Sequence, residues 1–436
     1  MATNIVQINV SQTIAPAPSK LQKTGVIVTQ GGTNTTANTV TLLTQLSDLT
    51  PILATAQAIT SLTWLTSVVT ATTTAPHGYT VGQTINLTIA GATPAGYNGT
   101  FACTITGANT FTYPLVSNPG AETISGTVIS ADKALLLADA TTFFAQGSAV
   151  SIYVLELGAG DAPTGVTALT TFLAGFPNKY YAFKVPNGWD AEPTFPTLAG
   201  NYSSDTAKTY FFVTVSNSTY TNFATASPHK SIVMMIQAVA APVTESSIMS
   251  MMYVILHYAP SNTNQVTPTA FSFLVGVTAY NPTPTQATTY KTSNVNYVDT
   301  GAEGGISNTI LKWGVTADGR DFTYWYSVDW AQINLQLDLA NAIINGSNNP
   351  QAPLYYNQRG INTLQAVAQG TMNRAITFGL GLAPITVTAV PFITYTTSNP
   401  SDYPLGVYNG LAVSYTPARG FTSITVNVNV TDFIAP

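Results

Sequence analysis

The chain has 436 residues, 45% of them hydrophobic and only 7% charged, with a net charge of −5. That length suggests about three domains at ~150 residues each, and the apolar fraction suffices for sizeable cores. The 22 Tyr and 18 Phe argue against a disordered chain. The absence of any Lys/Arg cluster argues against a nucleic-acid partner, because nothing would displace the counterions of a phosphate backbone.

In chain order, Val6, Ile8 and Val10 alternate with Gln7, Asn9 and Ser11. Alternation with period two marks a strand with one buried face. Ser11–Gly25, holding Pro16 and Pro18, reads as an extended tether reaching roughly 45 Å. Residues 1–24 are therefore expected to be an N-terminal arm and linker. Gly25–Gln30 reads as the first core strand, and a helical or turn segment follows Leu42–Leu46. From Ile59 to Ser130 short strands alternate with Gly, Pro and Asn turns, which predicts a small all-β module inserted at 59–130. Strands and helices then alternate: Ser151–Leu157, helix Gly165–Gly175, Tyr181–Val185, Thr209–Val215, Ser231–Ala238, helix Glu245–His257. This pattern predicts an α/β core over 25–58 and 131–287, with a largely parallel or mixed sheet and helices on its faces.

A third unit spans 288–422. A Gly-rich turn and a hairpin ending at Asp318–Gly319 precede a helix whose stripe is Trp330, Ile333, Leu337, Ala340 and Ile344. Asp329 near its start and Gly346 as the residue after its end are the expected caps. A second helix, Gln358–Ile376, is followed by strands Ile385–Tyr395 and Gly410–Tyr415. Last, Ile424, Val426, Val428 and Val430 alternate with Thr425, Asn427, Asn429 and Thr431, so 423–436 reads as a second arm strand. Terminal strands whose neighbours lie in other copies would make the protein polymerise by sheet addition, whereas either strand could instead complete its own domain's sheet, the Pro-containing tether favouring exchange for the N-terminal one.

Motifs for chemistry are weak. Gly158-Ala159-Gly160 lies between strand and helix, but position 163 is Pro and no acidic residue closes the dinucleotide fingerprint, so an ordinary turn is favoured. His77, His229 and His257 lack metal spacing. Cys103 is alone, hence no internal disulfide, and reads as a buried inert thiol. Asp318, Asp321 and Asp329 form the densest carboxylate group, read as turn and cap residues ahead of an acid/base pair. Trp325 and Trp330 beside Tyr324 and Tyr326 suggest a sugar-binding platform, with core or interface packing favoured. No catalytic, cofactor-binding or metal residue is assigned and no enzyme is expected. No secretory signal is visible at the N-terminus, Asn86, Asn98 and Asn345 are chance sequons, and no apolar run reaches the ~20 residues of a membrane span.

The segment from Lys291 to Ile344 resembles the C-terminal part of contractile phage tail sheath proteins. Asn294 and Asn296 precede a strand, Gly301–Gly305 makes the turn, Asp318–Gly319 the hairpin, and Asp329–Trp330 opens a long helix. The earlier order, with SIYVLEL, GVTALTTFLAG and KYYAFKV, is similar to the family too, excluding residues 59–130. The resemblance implies a sheath-type core with 288–422 as its C-terminal domain. It implies rings of six subunits stacked helically around a tail tube, contraction that drives the tube through the host envelope, and contacts with baseplate and tail terminator proteins. It places the protein in the virion tail, assembled in the host cytoplasm, with no nucleic acid and no membrane insertion. It assigns Val6, Ile8, Val10, Ile424, Val426, Val428 and Val430 to strands donated to neighbouring subunits. Tube contact in the family falls to the C-terminal portion, which makes Arg359, Arg374 and Arg419 candidates for facing the tube. Two other readings stay open: a phage fibre or adhesin binding glycan through the 59–130 module, and a hydrolase built on the Asp group.

Overall fold

The structure is a computed structural model that describes residues 18–225, 228–301 and 307–423. Both arm strands, with Val6, Ile8, Val10, Ile424, Val426, Val428 and Val430, lie outside these residues.

The described chain opens with a 3-10 helix, Pro18–Lys23, ahead of β1 (Gly25–Thr29). The expected tether Ser11–Gly25 is thus not extended over its last part. Leu21 has a core to pack on, and Gln22 is buried with its Nε2 donating to the Tyr326 carbonyl at 2.9 Å. Next come β2 (Val40–Leu43) and a second 3-10 helix, Leu46–Ile52.

Six strands follow: β3 (Gln57–Leu65), β4 (Val68–Thr73), β5 (Thr84–Ala90), β6 (Gly99–Ile105), β7 (Thr110–Pro114) and β8 (Thr127–Ser130). They close into an antiparallel barrel, order β3-β4-β7-β6-β5-β8. Inward Ile85, Leu87 and Ile89 of β5 alternate with outward polar residues and meet Val69, Cys103, Phe111 and Tyr113 in a separate core. Closure removes the exposed edges that a small sheet would otherwise present.

After the barrel come α1 (Asp132–Ala145), β9 (Ile152–Glu156), α2 (Ala162–Gly175), β10 (Ala182–Lys184), α3 (Phe195–Gly200), β11 (Tyr210–Val215), α4 (Thr221–Ala224), β12 (Ile232–Ile236) and α5 (Ser247–His257). The sheet order is β12-β11-β10-β1-β9-β2, parallel except for β2, which runs antiparallel to β9 at the edge. Both faces are covered. Tyr210, Phe212, Val233 and Met235 pack with α1 and α5 on one side, while Phe211, Val213, Ile232 and Met234 pack with α2 and α3 on the other. Burial on both sides explains why these strands read as unbroken apolar runs.

The remainder comprises α6 (Pro284–Thr292), β13 (Tyr297–Thr300), β14 (Thr309–Lys312), α7 (Phe322–Ser347), α8 (Gln358–Thr377), β15 (Gly381–Ala389), α9 (Phe392–Ser398), α10 (Asp402–Leu405) and β16 (Leu411–Pro417). Three expectations are corrected here. First, α7 begins two turns before Asp329. Its cap is Asp321, whose carboxylate accepts from the Thr323 amide at 2.9 Å. The run Phe322–Tyr326 has strand-like composition, but burial of Phe322, Trp325 and Tyr326 against the sheet overrides that propensity. Second, Gly346 lies inside α7, where a side chain would collide with Leu354, so close packing is what keeps it small. Third, the strand expected over Ile385–Tyr395 stops at Ala389, because Pro391 opens helix α9. The apolar stripe of α7 is buried only at its start: Trp330 and Ile333 are inside, whereas Ile344 is 59% exposed.

Among the described residues, one ion pair is buried in the α/β core. Lys184 on β10 and Asp139 on α1 meet at 3.3 Å with almost no exposure, and Asn187 accepts a further bond from the ammonium. Burial raises the Asp139 carboxyl above its ordinary range, and Lys184 opposes that rise. Lys184→Met leaves an uncompensated buried carboxylate and is expected to lower stability by about 3–5 kcal/mol in urea unfolding. The double variant Lys184→Met/Asp139→Leu is expected to recover most of the loss, and failure to recover would show that the pair does more than satisfy itself.

Candidate assembly interface

Among the described residues, two features suited to meeting other chains lie in the C-terminal third. β15 and β16 form a two-stranded antiparallel sheet, and neither has a further strand beside it among the described residues. One face rests on α8 through Val387, Ile385, Leu411 and Val413. A two-stranded sheet is marginal by itself, and unpaired edges invite another strand. The segment joining the two strands carries no charge apart from Asp402, and it leaves Ile393 76% and Leu405 75% exposed. Tyr356, Phe392, Tyr403 and Tyr408 form an aromatic cluster there, with ring centres 5.2–6.1 Å from Tyr356. Beside it, Leu339, Ile343, Leu354, Ile361 and Leu411 line an apolar groove of about 380 Å³. Apolar surface on this scale, rich in Tyr and poor in charge, has the composition of an interface.

The three arginines differ. Arg359 is exposed in the first turn of α8. Arg374 pairs with Asp338 of α7. The Arg419 guanidinium lies 4.7 Å from the centre of the Tyr324 ring.

The carboxylate group is taken up by structure. Asp318 accepts from Arg320 N at 3.1 Å and from Trp325 Nε1 at 3.1 Å. Asp321 caps α7. Asp329, expected to be a cap, is instead wholly buried between α7 and the sheet. Its Oδ2 accepts from the hydroxyls of Tyr181 at 2.9 Å and Tyr210 at 2.8 Å, while Oδ1 has no hydrogen-bond partner among the described residues. Trp325, Tyr326 and Trp330 are buried, so they form no exposed platform.

The loop after β9 is an ordinary turn for a reason not visible in its glycines. Glu156, at the end of β9, turns its carboxylate back under the loops. It accepts from the amides of Gly31 at 2.6 Å, Gly158 at 2.8 Å and Thr33 at 3.0 Å, and from the Thr33 hydroxyl at 2.7 Å. These are the converging amides that a phosphate would need at the end of a parallel sheet, and the protein's own carboxylate already occupies them. Cys103 is sealed in the barrel, and burial pushes its thiol up to about 12. Among the described residues no three His, Cys, Asp or Glu side chains are grouped to hold a metal ion.

A chain in the anti-feeding prophage baseplate, solved by cryo-electron microscopy with 6-fold symmetry applied, aligns over 99% of this chain and 100% of its own length, with a TM-score of 0.56 and 12% identity. A chain of the anti-feeding prophage helical sheath in the contracted state aligns over 99% of both, with a TM-score of 0.51 and 10% identity. This is the fold of a helical-sheath chain. The sheath tail protein Lin1278 of Listeria innocua aligns over 91% of this chain and 92% of its own, with a TM-score of 0.43 and 11% identity. No family model matches the sequence, and no curated protein does.

Asp329 gives a test of how α7 is held. Burial raises its carboxyl from 3.8 to about 6, with Lys230, Tyr210 and Tyr181 opposing the rise. The folded chain therefore binds this proton more tightly than the unfolded chain, and its contribution to stability falls as pH climbs from about 4 to about 6. The displacement is equivalent to roughly 3 kcal/mol at neutral pH. Asp329→Asn keeps an oxygen for both tyrosines and carries no charge. It is expected to match the parent near pH 4 and to exceed it increasingly up to pH 7 in chemical denaturation. A pH-independent difference would contradict this account.

Proposed function

We propose that the protein is a structural subunit of a contractile tail sheath. It polymerises into rings of six, stacked helically around a tail tube, with baseplate and terminator proteins at the ends, and its contraction drives the tube through a host envelope. The observation that carries this is the whole-length likeness to a helical-sheath chain, extending over 99% of both molecules. The 59–130 barrel is read as a module inserted into the core, joined through Ile52–Gln57 on one side and Ser130–Asp132 on the other. The α/β core and the 288–422 unit together carry the lattice contacts.

The arms supply the connections. Val6, Ile8 and Val10, and Ile424, Val426, Val428 and Val430, are read as strands added to the open β15–β16 sheet of neighbouring subunits. Burying three or four aliphatic side chains per arm contributes about 5–10 kcal/mol before the cost of ordering the arm. One such contact is a moderate tether, and two given plus others received per subunit hold a lattice by avidity. Arg359 has the exposure expected of a tube-facing cation. Arg374 and Arg419 already have partners, so they would meet the tube through those partners.

Because Leu21, Gln22 and Thr24 are packed on the body, the informative truncations remove 1–17 or 424–436 and nothing more. The purified chain is expected to form rings or tubes in negative-stain electron microscopy. Either truncation should abolish them while leaving a folded monomer with an unchanged melting temperature. Polymerisation by either truncated chain would remove exchange of that arm from the account. A monomeric full-length chain whose isolated residues 57–131 bind glycan would favour the adhesin reading instead.

A further inference from the structure

Resting on the arm-exchange reading above, we propose that the N-terminal half of α7 is a common mooring for both arms, holding their roots by two dedicated clamps a short distance apart on one helix.

The C-terminal clamp is built on the cap of α7. Asp321 accepts from Thr323 N with one oxygen, and its Oδ2 accepts from the Gly420 amide at 3.2 Å. Two residues earlier, the Ala418 amide bonds the Leu380 carbonyl at 3.0 Å. The backbone between is pressed so close to Pro268 that a Cβ at position 420 would lie 2.5 Å from the proline ring. Arg419 closes the clamp by stacking on Tyr324, whose ring also carries Arg320 at 4.9 Å. Beyond the clamp, Phe421 is 86% exposed. The chain is therefore fixed through Gly420 and leaves the body at Phe421, although β16 already ended at Pro417.

The N-terminal clamp uses the same helix. Gln22 is buried, and its amide donates to the Tyr326 carbonyl. Thr24 ties the segment to the sheet, its hydroxyl accepting from the Tyr181 amide at 3.0 Å. Asp321 and Tyr326 are five residues apart, about 7.5 Å along a helix axis. Asp329, one turn further along, bonds that helix to β11 and to Tyr181 beside β10. A pull on either arm thus passes into one helix that is bonded to the central sheet, and the two arms share one pivot. Both clamps lie outside the strands of the core. Their geometry is explained by the need to start each arm from a fixed point.

The test compares five full chains by sedimentation and electron microscopy: parent, a chain lacking 424–436, Gly420→Ala, Asp321→Asn and Gln22→Met. Asp321→Asn keeps an oxygen for the Thr323 amide but turns an NH₂ toward Gly420. Amide exchange of Gly420 is measured in the parent subunit. The proposal expects the truncation to abolish assembly and each point variant to cut the polymerised fraction at least tenfold at an unchanged melting temperature. It also expects the Gly420 amide to exchange on the order of a hundredfold more slowly than Thr422 and Ser423. Assembly by the truncated chain would overturn the arm reading and this proposal with it. Loss on truncation with normal assembly of the point variants would overturn the mooring alone. If a point variant melts early, exchange decides: a Gly420 amide as fast as its neighbours overturns the clamp, and a protected one supports it.

Discussion

The fold depends on how α7 is seated. Its first three turns present Phe322, Trp325, Tyr326 and Trp330 to the face of the sheet formed by Tyr210, Phe212 and Val233, and Asp329 sits among them with two tyrosine hydroxyls on one oxygen. Aromatic burial supplies most of the attraction, because each such ring removes a large apolar area from water. The carboxylate supplies direction: it accepts bonds only where the two tyrosines point. A helix that slid by one turn would leave both hydroxyls unpaired and bury a bare charge. The second half of α7 is less constrained: Leu335 and Leu339 are partly buried against the core, while Ile343 and Ile344 are exposed.

That division separates a body from a surface. Between β1 and α5 the buried charged groups have partners, although Thr29, Gln57, His77, Gln83 and Thr214 each keep a buried polar atom without one among the described residues. Lys184 has Asp139 and Asn187, Glu156 has three amides and a hydroxyl, and Trp189 Nε1 donates to Gln30 Oε1. Such networks make one arrangement far better than its neighbours, so the core resists deformation. In the C-terminal third the opposite holds. A two-stranded sheet, an exposed helix end and an aromatic segment leave apolar groups without cover. Few charges oppose association, since the whole chain carries only 13 basic and 18 acidic residues.

Much of this was legible in the sequence where a single period dominates. The parallel strands appear as apolar runs because both faces are covered, and the barrel appears as short alternating strands between turns. The misread places are those where tertiary contact overrode a local signal. Asp329 preceding an apolar stripe looks like a cap, but the true cap, Asp321, precedes a run whose aromatic composition suggests a strand. Pro16 and Pro18 suggest a tether, yet Leu21 and Gln22 find a core. The signal for the buried polar groups was present: Glu156 ends SIYVLE and Lys184 stands inside KYYAFKV, and a charge within an otherwise apolar strand needs a partner from elsewhere. What no local pattern contains is the identity of that partner, as with Asp139 on a helix that follows the barrel, or Tyr181 and Tyr210 for Asp329.

The same buried groups bear on where the energy for a contractile lattice would reside. The end of the parallel sheet is where α/β proteins place nucleotides, and here Glu156 has consumed the amides that would receive a phosphate. With that position closed from within, a sheath of such subunits would draw on the difference between two packings of the same rigid bodies. Rigid bodies require connections that bend outside them. In the proposed sheath, a chain held through Gly420 and from Gln22 onward, with its arms exchanged beyond, would place the bending in the residues between clamp and arm. The core can then keep every buried bond while its neighbours move.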